Sequence, residues 1–250
     1  MKVEHLNRYP VKGLSPEPLT GVDVEAGGAL PWDRAFALAQ GDAPFDPNAP
    51  TWLKKTNFMC LMANAKAAAL KSVFDPVNTA LCITAPDGRR IIEHPLLPDG
   101  RLRLAAWLTA YLKPDARGTP VFHHVPGFVF GDQKTPVVSL LSLSSVADLE
   151  QKVGAERHHL RFRANITFSG CEPWAEFDWI GRELIVGSAR MRVIKRTVRC
   201  LATEVNPLTA QRDAQPVREL MRHFGHADLG IHAEVIQRGH VAPDDCIHLA

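Results

Sequence analysis

The chain has 250 residues, 46% hydrophobic and 22% charged, a composition that builds a globular core without disulfide or metal staples. Its 29 lysines and arginines face 27 acids, and a formal net charge of +2 lacks the cation excess of a nucleic-acid-coating protein. No apolar run approaches the roughly 18 residues of a membrane helix, and Met1–Arg8 has no signal-like apolar stretch, so a cytoplasmic protein with no membrane and no nucleic-acid partner is expected.

Nineteen prolines and seventeen glycines cut the chain into short segments, which favours many strands over long helices. Val3–Tyr9, Leu19–Glu25 and Arg34–Ala39 read as strands; Asp42–Pro50, rich in Pro, Asp and Ala, reads as a surface loop. Ala85-Pro86-Asp87-Gly88 has turn chemistry and joins Ala80–Thr84 to Arg90–Glu93 as a hairpin. After the Pro95–Gly100 connector, Arg101–Leu112 sets Leu104, Trp107, Leu108 and Tyr111 on one helical face. Ser144–Val153 is a second helix, with N-capping serines and a Gly154 stop. Pro216–Phe224 is a third, with Pro first, Gly225 beyond it, and apolar Val217, Leu220, Met221 and Phe224. Arg161–Phe168, Glu183–Val186, Arg190–Val198 and Asp245–Leu249 are further strand-like runs. The whole predicts a strand-dominated α+β protein with a barrel. Pro114, Gly118 and Pro120 mark a boundary within Lys113–Thr119, giving residues 1–117 and 118–250 as two domains.

Five cysteines, Cys60, Cys82, Cys171, Cys200 and Cys246, form no Cys-x-x-Cys pair, so they read as reduced thiols. Cys200 differs from the others in closing a run that holds Arg190, Arg192, Lys195, Arg196 and Arg199 and no acid. Taken alone, that run reads as a solvated strand face. A cationic setting nevertheless favours thiolate, and thiolate is a soft metal ligand. In Arg161-Phe-Arg-Ala-Asn165, strand alternation would put Arg161, Arg163 and Asn165 on one face. Guanidinium forks bind phosphate, and an amide both donates and accepts toward a heterocycle. His158-His159 reads as an exposed pair, His232 and His240 as surface groups, and Trp174 and Trp179 as core. Cys60, Cys82 and Cys246 read as packing thiols, and Cys171 as a buried or near-site thiol.

Arg161-Phe-Arg-Ala-Asn-Ile166, Gly170-Cys171, Trp174, Glu176, Trp179, Ile180-Gly181 and Arg199-Cys200-x-x-Thr203-x-Val205-Asn206-Pro207-x-Thr209 together resemble the MOSC domain, named for the molybdenum cofactor sulfurase C-terminus. Tyr9-Pro-Val-Lys-Gly13, Leu30-Pro-Trp-Asp-Arg34 and the Ser142–Glu150 segment resemble the β-rich domain that precedes it in this family. The resemblance implies a molybdenum cofactor, a pterin dithiolene with a phosphate tail. It makes Cys200 the protein ligand to molybdenum and the catalytic residue, with Lys12, Gly13, Arg34, Thr135, Arg163, Asn165 and Arg199 beside it as cofactor-binding residues. Similarity to amidoxime-reducing proteins implies reduction of N-hydroxylated small molecules. Electrons would come from a separate donor, such as a ferredoxin or a flavoprotein reductase. A carrier that holds cofactor or sulfur without turnover is the alternative. The chain departs from the family pattern at Gly13, where serine is usual, and at Asn206, where aspartate is common.

Overall fold

Strands dominate the computed structural model, which describes residues 1–250. In chain order the elements are β1 (Lys2–Arg8), β2 (Glu17–Pro18), β3 (Val22–Val24), β4 (Phe36–Ala39), β5 (Lys71–Asp75), β6 (Ala80–Thr84), β7 (Arg90–Glu93), α1 (Pro98–Leu112), β8 (Val121–His124), β9 (Val138–Ser142), α2 (Leu143–Val153), β10 (Ile166–Ser169), β11 (Glu183–Val186), β12 (Ala189–Val198), α3 (Pro216–Phe224), β13 (Asp228–Gln237), β14 (Gly239–Val241) and β15 (Ile247–Leu249). The strand-dominated α+β class expected from the sequence is what the chain adopts.

The largest sheet runs β15-β11-β12-β13-β9-β10-β1-β2. Its ends meet: Lys2 bridges Cys246, and the Ile247 amide donates to the Met1 carbonyl at 2.8 Å. The Met1 amino group returns a bond to the Ile247 carbonyl at 3.3 Å. The two ends of the chain thereby close a barrel, and closure removes the exposed strand edges that an open sheet would leave. Alternation along each strand sends one set of side chains inward. On β12, Met191 and Val193 enter a 20-residue core with Ile231 and Ala233 of β13, Val138 and Leu140 of β9, and Phe168 of β10. Arg190, Arg192 and Lys195 of β12 face outward, the first two paired with Glu183, so the basic run is a solvated strand face over most of its length.

A second core of 19 residues draws all but Val205 from the first half of the chain. There Phe36 and Leu38 of β4, Phe74, Leu81 and Ile83 of the β5–β7 sheet, and Leu104 and Leu108 of α1 pack together. The β6–β7 hairpin has its expected bounds. Helix α1 starts at Pro98, inside the expected connector, because proline at N1 needs no N–H partner. Ser142 caps α2, accepting from the Ser145 amide, and Gly154 ends it at φ +68°. Met221, expected on the apolar face of α3, is exposed.

Several expectations fail for physical reasons. The run from Arg161 to Phe168 is a strand only from Ile166. His159–Phe162 is a 3-10 turn and Arg163 takes a left-handed φ of +52°, so Arg163 and Asn165 do not share a strand face. Side-chain bonds hold that turn: Arg161 donates to the Glu204 carbonyl at 3.1 Å, and Arg163 to the Leu14 carbonyl at 2.7 Å. The alternation rule missed β9 and β13, two central strands. All five residues of β9 are buried, and so are Leu229–Ala233 of β13, because both faces of these strands are covered. Cys246, expected to pack, is exposed, and Cys82 is half-buried. His158 and His159 are half-buried, stacked at 4.8 Å with His5 on the far side. Trp179 is core; Trp174 is half-buried against Phe224.

Candidate cofactor site

A cavity of about 250 Å³ separates the two cores. One wall comes from the first half of the chain. After β1, the segment Tyr9–Gly13 lies against β4, with the Lys12 amide donating to the Phe36 carbonyl at 2.8 Å. Gly13 turns the chain at φ +83°; a Cβ there would lie 2.9 Å from the Met59 carbonyl oxygen, so this close approach requires glycine. The buried Lys12 ammonium donates to the Phe130 carbonyl at 2.9 Å and to Asp132 at 2.6 Å. Burial pushes its pKa down against the pull of Asp132. Asp132 also approaches Lys55 at 3.5 Å. Burial opposes the Asp132 charge, but the two ammonium groups outweigh it and hold the carboxyl well below its usual range.

Arg34 follows buried Asp33 and pairs with it directly, while Asp33 also accepts from the Tyr9 amide at 2.8 Å. Burial works against the Arg34 cation, yet the Asp33 charge and hydrogen bond more than compensate, and its pKa stays raised. Arg34 and Arg163 sit over the Tyr9 ring, at 4.6 and 4.3 Å from its centre. Cation–π contact of this kind is worth roughly 0.5–2 kcal/mol.

The barrel supplies the other wall, and its charges are arranged differently. Arg199 donates to the Phe162 carbonyl at 2.7 Å and twice to the Leu229 carbonyl. Arg163 donates to the Leu14 carbonyl. Neither guanidinium has a carboxylate within ion-pair distance, and burial lowers both pKa values to about 10. Such cations remain charged at neutral pH and are short of counter-charge. Arg161 on the same wall is paired, with Asp213.

His232 of β13 also lines the cavity, 8% exposed, with its Nδ1 buried and unpartnered. Burial, then Arg199 and Lys195, push its pKa down to about 3, so the imidazole is neutral. The buried Thr197 hydroxyl on β12 is likewise unpartnered. Cys200 follows β12 in extended geometry (φ −134°) and begins the Leu201–Glu204 3-10 turn; its thiol is half-buried on the lining.

The lining thus holds all eight residues singled out from the sequence: Lys12, Gly13, Arg34, Thr135, Arg163, Asn165, Arg199 and Cys200. Their situations differ. Thr135 is exposed at the rim. The Asn165 amide is spent within the protein: its oxygen accepts from the Ser139 amide and hydroxyl at 3.1 and 2.8 Å, and its nitrogen donates to the Asn7 carbonyl at 3.2 Å. Asn165 therefore holds β9 against β10 beneath the cavity. His232, read from the sequence as a surface group, is buried on the lining, because β13 is a central strand with its outer face covered by the cavity wall. Cys60 lines the cavity as well as packing. Cys171 does not reach it; its sulfur lies 3.5 Å from the Ser142 hydroxyl. Lys55 and Asp132 had no sequence signal, since their pairing joins segments 77 residues apart.

Two domain profiles match the chain: the MOSC domain over residues 127–248 and the MOSC N-terminal beta barrel domain over residues 1–92. The chain belongs to the MOSC family. Its relatives include the human mitochondrial amidoxime-reducing component 1, 30% identical over 89 residues, which cover 36% of this chain and 26% of that protein. The Bos taurus mitochondrial amidoxime reducing component 2 is 29% identical over 138 residues, covering 50% of this chain and 40% of the relative. A zebrafish (Danio rerio) molybdenum cofactor sulfurase is 40% identical over 60 residues, 24% of this chain and 7% of that protein. The chain matches less than half the length of each of these relatives.

The site of this MOSC chain suits an anionic, thiolate-bound group. Among its lining residues are six cations, Lys12, Arg34, Lys55, Arg161, Arg163 and Arg199, and two carboxylates, Asp33 and Asp132. No three His, Cys, Asp or Glu side chains converge as a metal-ligand set. The lining carries two thiols, Cys60 and Cys200, so a metal held here would need further ligands from an organic partner.

Proposed function

We propose that the cavity holds the molybdenum cofactor, with Cys200 as the protein ligand to the metal, and that the protein reduces N-hydroxylated small molecules. The observation that carries this reading is the pairing, in one cavity of a MOSC chain, of a half-buried thiol with two buried guanidinium groups that have no carboxylate partner. Arg163, Arg199 and Arg34 would bind the phosphate and pterin oxygens through their forks. The neutral His232 imidazole and the Thr197 hydroxyl, both unpartnered, would meet polar edges of the heterocycle. Gly13 lets the Lys12 segment close onto the Met59–Cys60 backbone, which keeps Lys12 on the cavity lining. Lys55 lies beside Asp132 and Cys200, whose combined pull outweighs the burial that opposes its charge, so its pKa is raised and its Nζ keeps its proton.

When bound, the cofactor would supply two-electron oxygen chemistry. Overall, the substrate N–O bond breaks, two electrons and two protons enter, and the N–H product and water leave. The electrons come from a separate donor, a ferredoxin or flavoprotein reductase in a cytoplasmic setting; no helix is long and apolar enough to cross a membrane.

The test is Cys200→Ala in protein made in a cofactor-competent host, assayed with benzamidoxime and reduced methyl viologen. Turnover should fall at least about a hundredfold, as expected for removal of a metal ligand, and molybdenum should be lost on gel filtration. Turnover at the wild-type level in the variant overturns the ligand role. Molybdenum retained by wild type without any benzamidoxime turnover favours the carrier reading instead.

A further inference from the structure

The mouth of the cavity has a surface that the reaction itself does not use. On either side of the Arg199-Cys200 pair, Val198 is 73% exposed and Leu201 is 48% exposed. One exposed apolar residue needs no explanation. Here two flank the thiol on which the site depends, and they are framed by charge. Lys54, Lys134 and Lys195 are exposed, and none has a carboxylate within ion-pair distance.

Each lysine adjoins the lining, Lys195 by contact and Lys134 and Lys54 in sequence. Lys195 donates to Gln133, a lining residue. Lys134 lies between the lining residues Gln133 and Thr135, with its ammonium 6.0 Å from the Trp52 ring centre. Lys54 adjoins Lys55. The acids at this rim are largely committed: Asp132 to Lys12 and Lys55, and Glu204 to Arg212. Asp228, across the ladder from Val198, is unpaired. Three exposed lysines without a carboxylate partner thus stand in contact with, or next in sequence to, residues that line one opening.

We propose that this rim is the docking surface for an acidic one-electron carrier protein, with Val198 and Leu201 as the apolar centre of the contact and Lys54, Lys134 and Lys195 as its charged frame. The proposal rests on the reading of the cavity as a redox site. Electron transfer falls steeply with distance, so a carrier must bring its prosthetic group to the opening rather than to the far side of the barrel. Opposed charges steer such encounters and set their orientation, while a small apolar centre lets the partners separate after each electron. Two encounters deliver the two electrons that one N–O cleavage consumes, and the carrier is oxidised by one electron each time.

The probe is a plant-type [2Fe–2S] ferredoxin, an acidic one-electron carrier, with cytochrome c as the basic control. Two measurements are made on the holoprotein: calorimetric binding of oxidised ferredoxin, and benzamidoxime reduction driven by reduced ferredoxin. Lys54→Glu with Lys134→Glu should weaken binding and raise the KM for ferredoxin about tenfold or more, while the kcat with reduced methyl viologen stays at the wild-type value. Wild-type binding should weaken steeply from about 0.02 to 0.3 M salt, as a steered contact does, and cytochrome c should not bind. Unchanged ferredoxin binding and KM in the double variant overturn the docking surface, as does binding of cytochrome c with equal strength. If methyl viologen supports no turnover but ferredoxin binding is still lost on charge reversal, the redox reading fails and the docking surface stands.

Discussion

The two walls of the cavity carry the same kind of charge under opposite rules. On the wall from the first half of the chain, Arg34 has Asp33, and Lys12 and Lys55 share Asp132. On the barrel wall, Arg163 and Arg199 have only carbonyl oxygens. A paired buried cation is part of the fold, and removing it strands its partner. A buried cation with carbonyls alone is still short of negative charge, and that deficit is what an anionic ligand fills. Apart from Arg161, which Asp213 pairs on the barrel wall, the difference gives Arg163 and Arg199 the larger share of ligand affinity and makes Arg34 a cation that also holds the fold.

The sharpest way to break this distinction is to remove one cation from each wall. Arg34→Met leaves Asp33, almost fully buried, without its counter-charge, and should cost about 3–5 kcal/mol in urea denaturation. A loss under about 1 kcal/mol would show that Asp33 needs no partner. Arg199→Met should act mainly on anion binding. In cofactor-free wild type, inorganic phosphate at about a hundred times its Kd should stabilise the fold by about 2.7 kcal/mol. The variant should lose most of that response in a melting series, and an undiminished response would place the anion elsewhere.

Gly13→Ala probes how closely the first wall is packed. At φ +83°, with Met59 O at 2.9 Å, the substitution should destabilise by about 1–3 kcal/mol. A neutral result would mean that the Met59 backbone yields readily.

The smallest effect is a pH slope. The His232 pKa is about 3 in the fold and 6.5 as a free side chain. Between those values the unfolded chain binds the extra proton, so stability rises with pH and falls on acidification. From pH 6 to 5 this histidine should contribute a loss of about 1 kcal/mol. The loss should vanish in His232→Gln, and an unchanged slope in that variant would assign the proton uptake to another group, such as His159, whose pKa burial lowers to about 4.

Much of this arrangement is legible in the residues. The β6–β7 hairpin and the ends of α2 and α3 follow from Pro, Gly and Ser placement, because turns and caps are local. The site residues were reached through motif order, and the fold brings them to one cavity from segments as distant as Lys12 and Cys200. Four features were not legible. β9 and β13 are buried on both faces, which erases alternation. The turn at Arg161–Arg163 is held by bonds to Glu204 and Leu14, which no local pattern reveals. His232 gains its position from a strand that was not foreseen, and the pairing of Lys55 with Asp132 is purely tertiary.

The central claim is that the barrel wall and Cys200 together retain an anionic molybdenum cofactor. It is tested most directly by metal and pterin analysis of protein purified from a cofactor-competent host. The account predicts close to one molybdenum and one pterin per chain; protein that folds normally yet carries neither contradicts it.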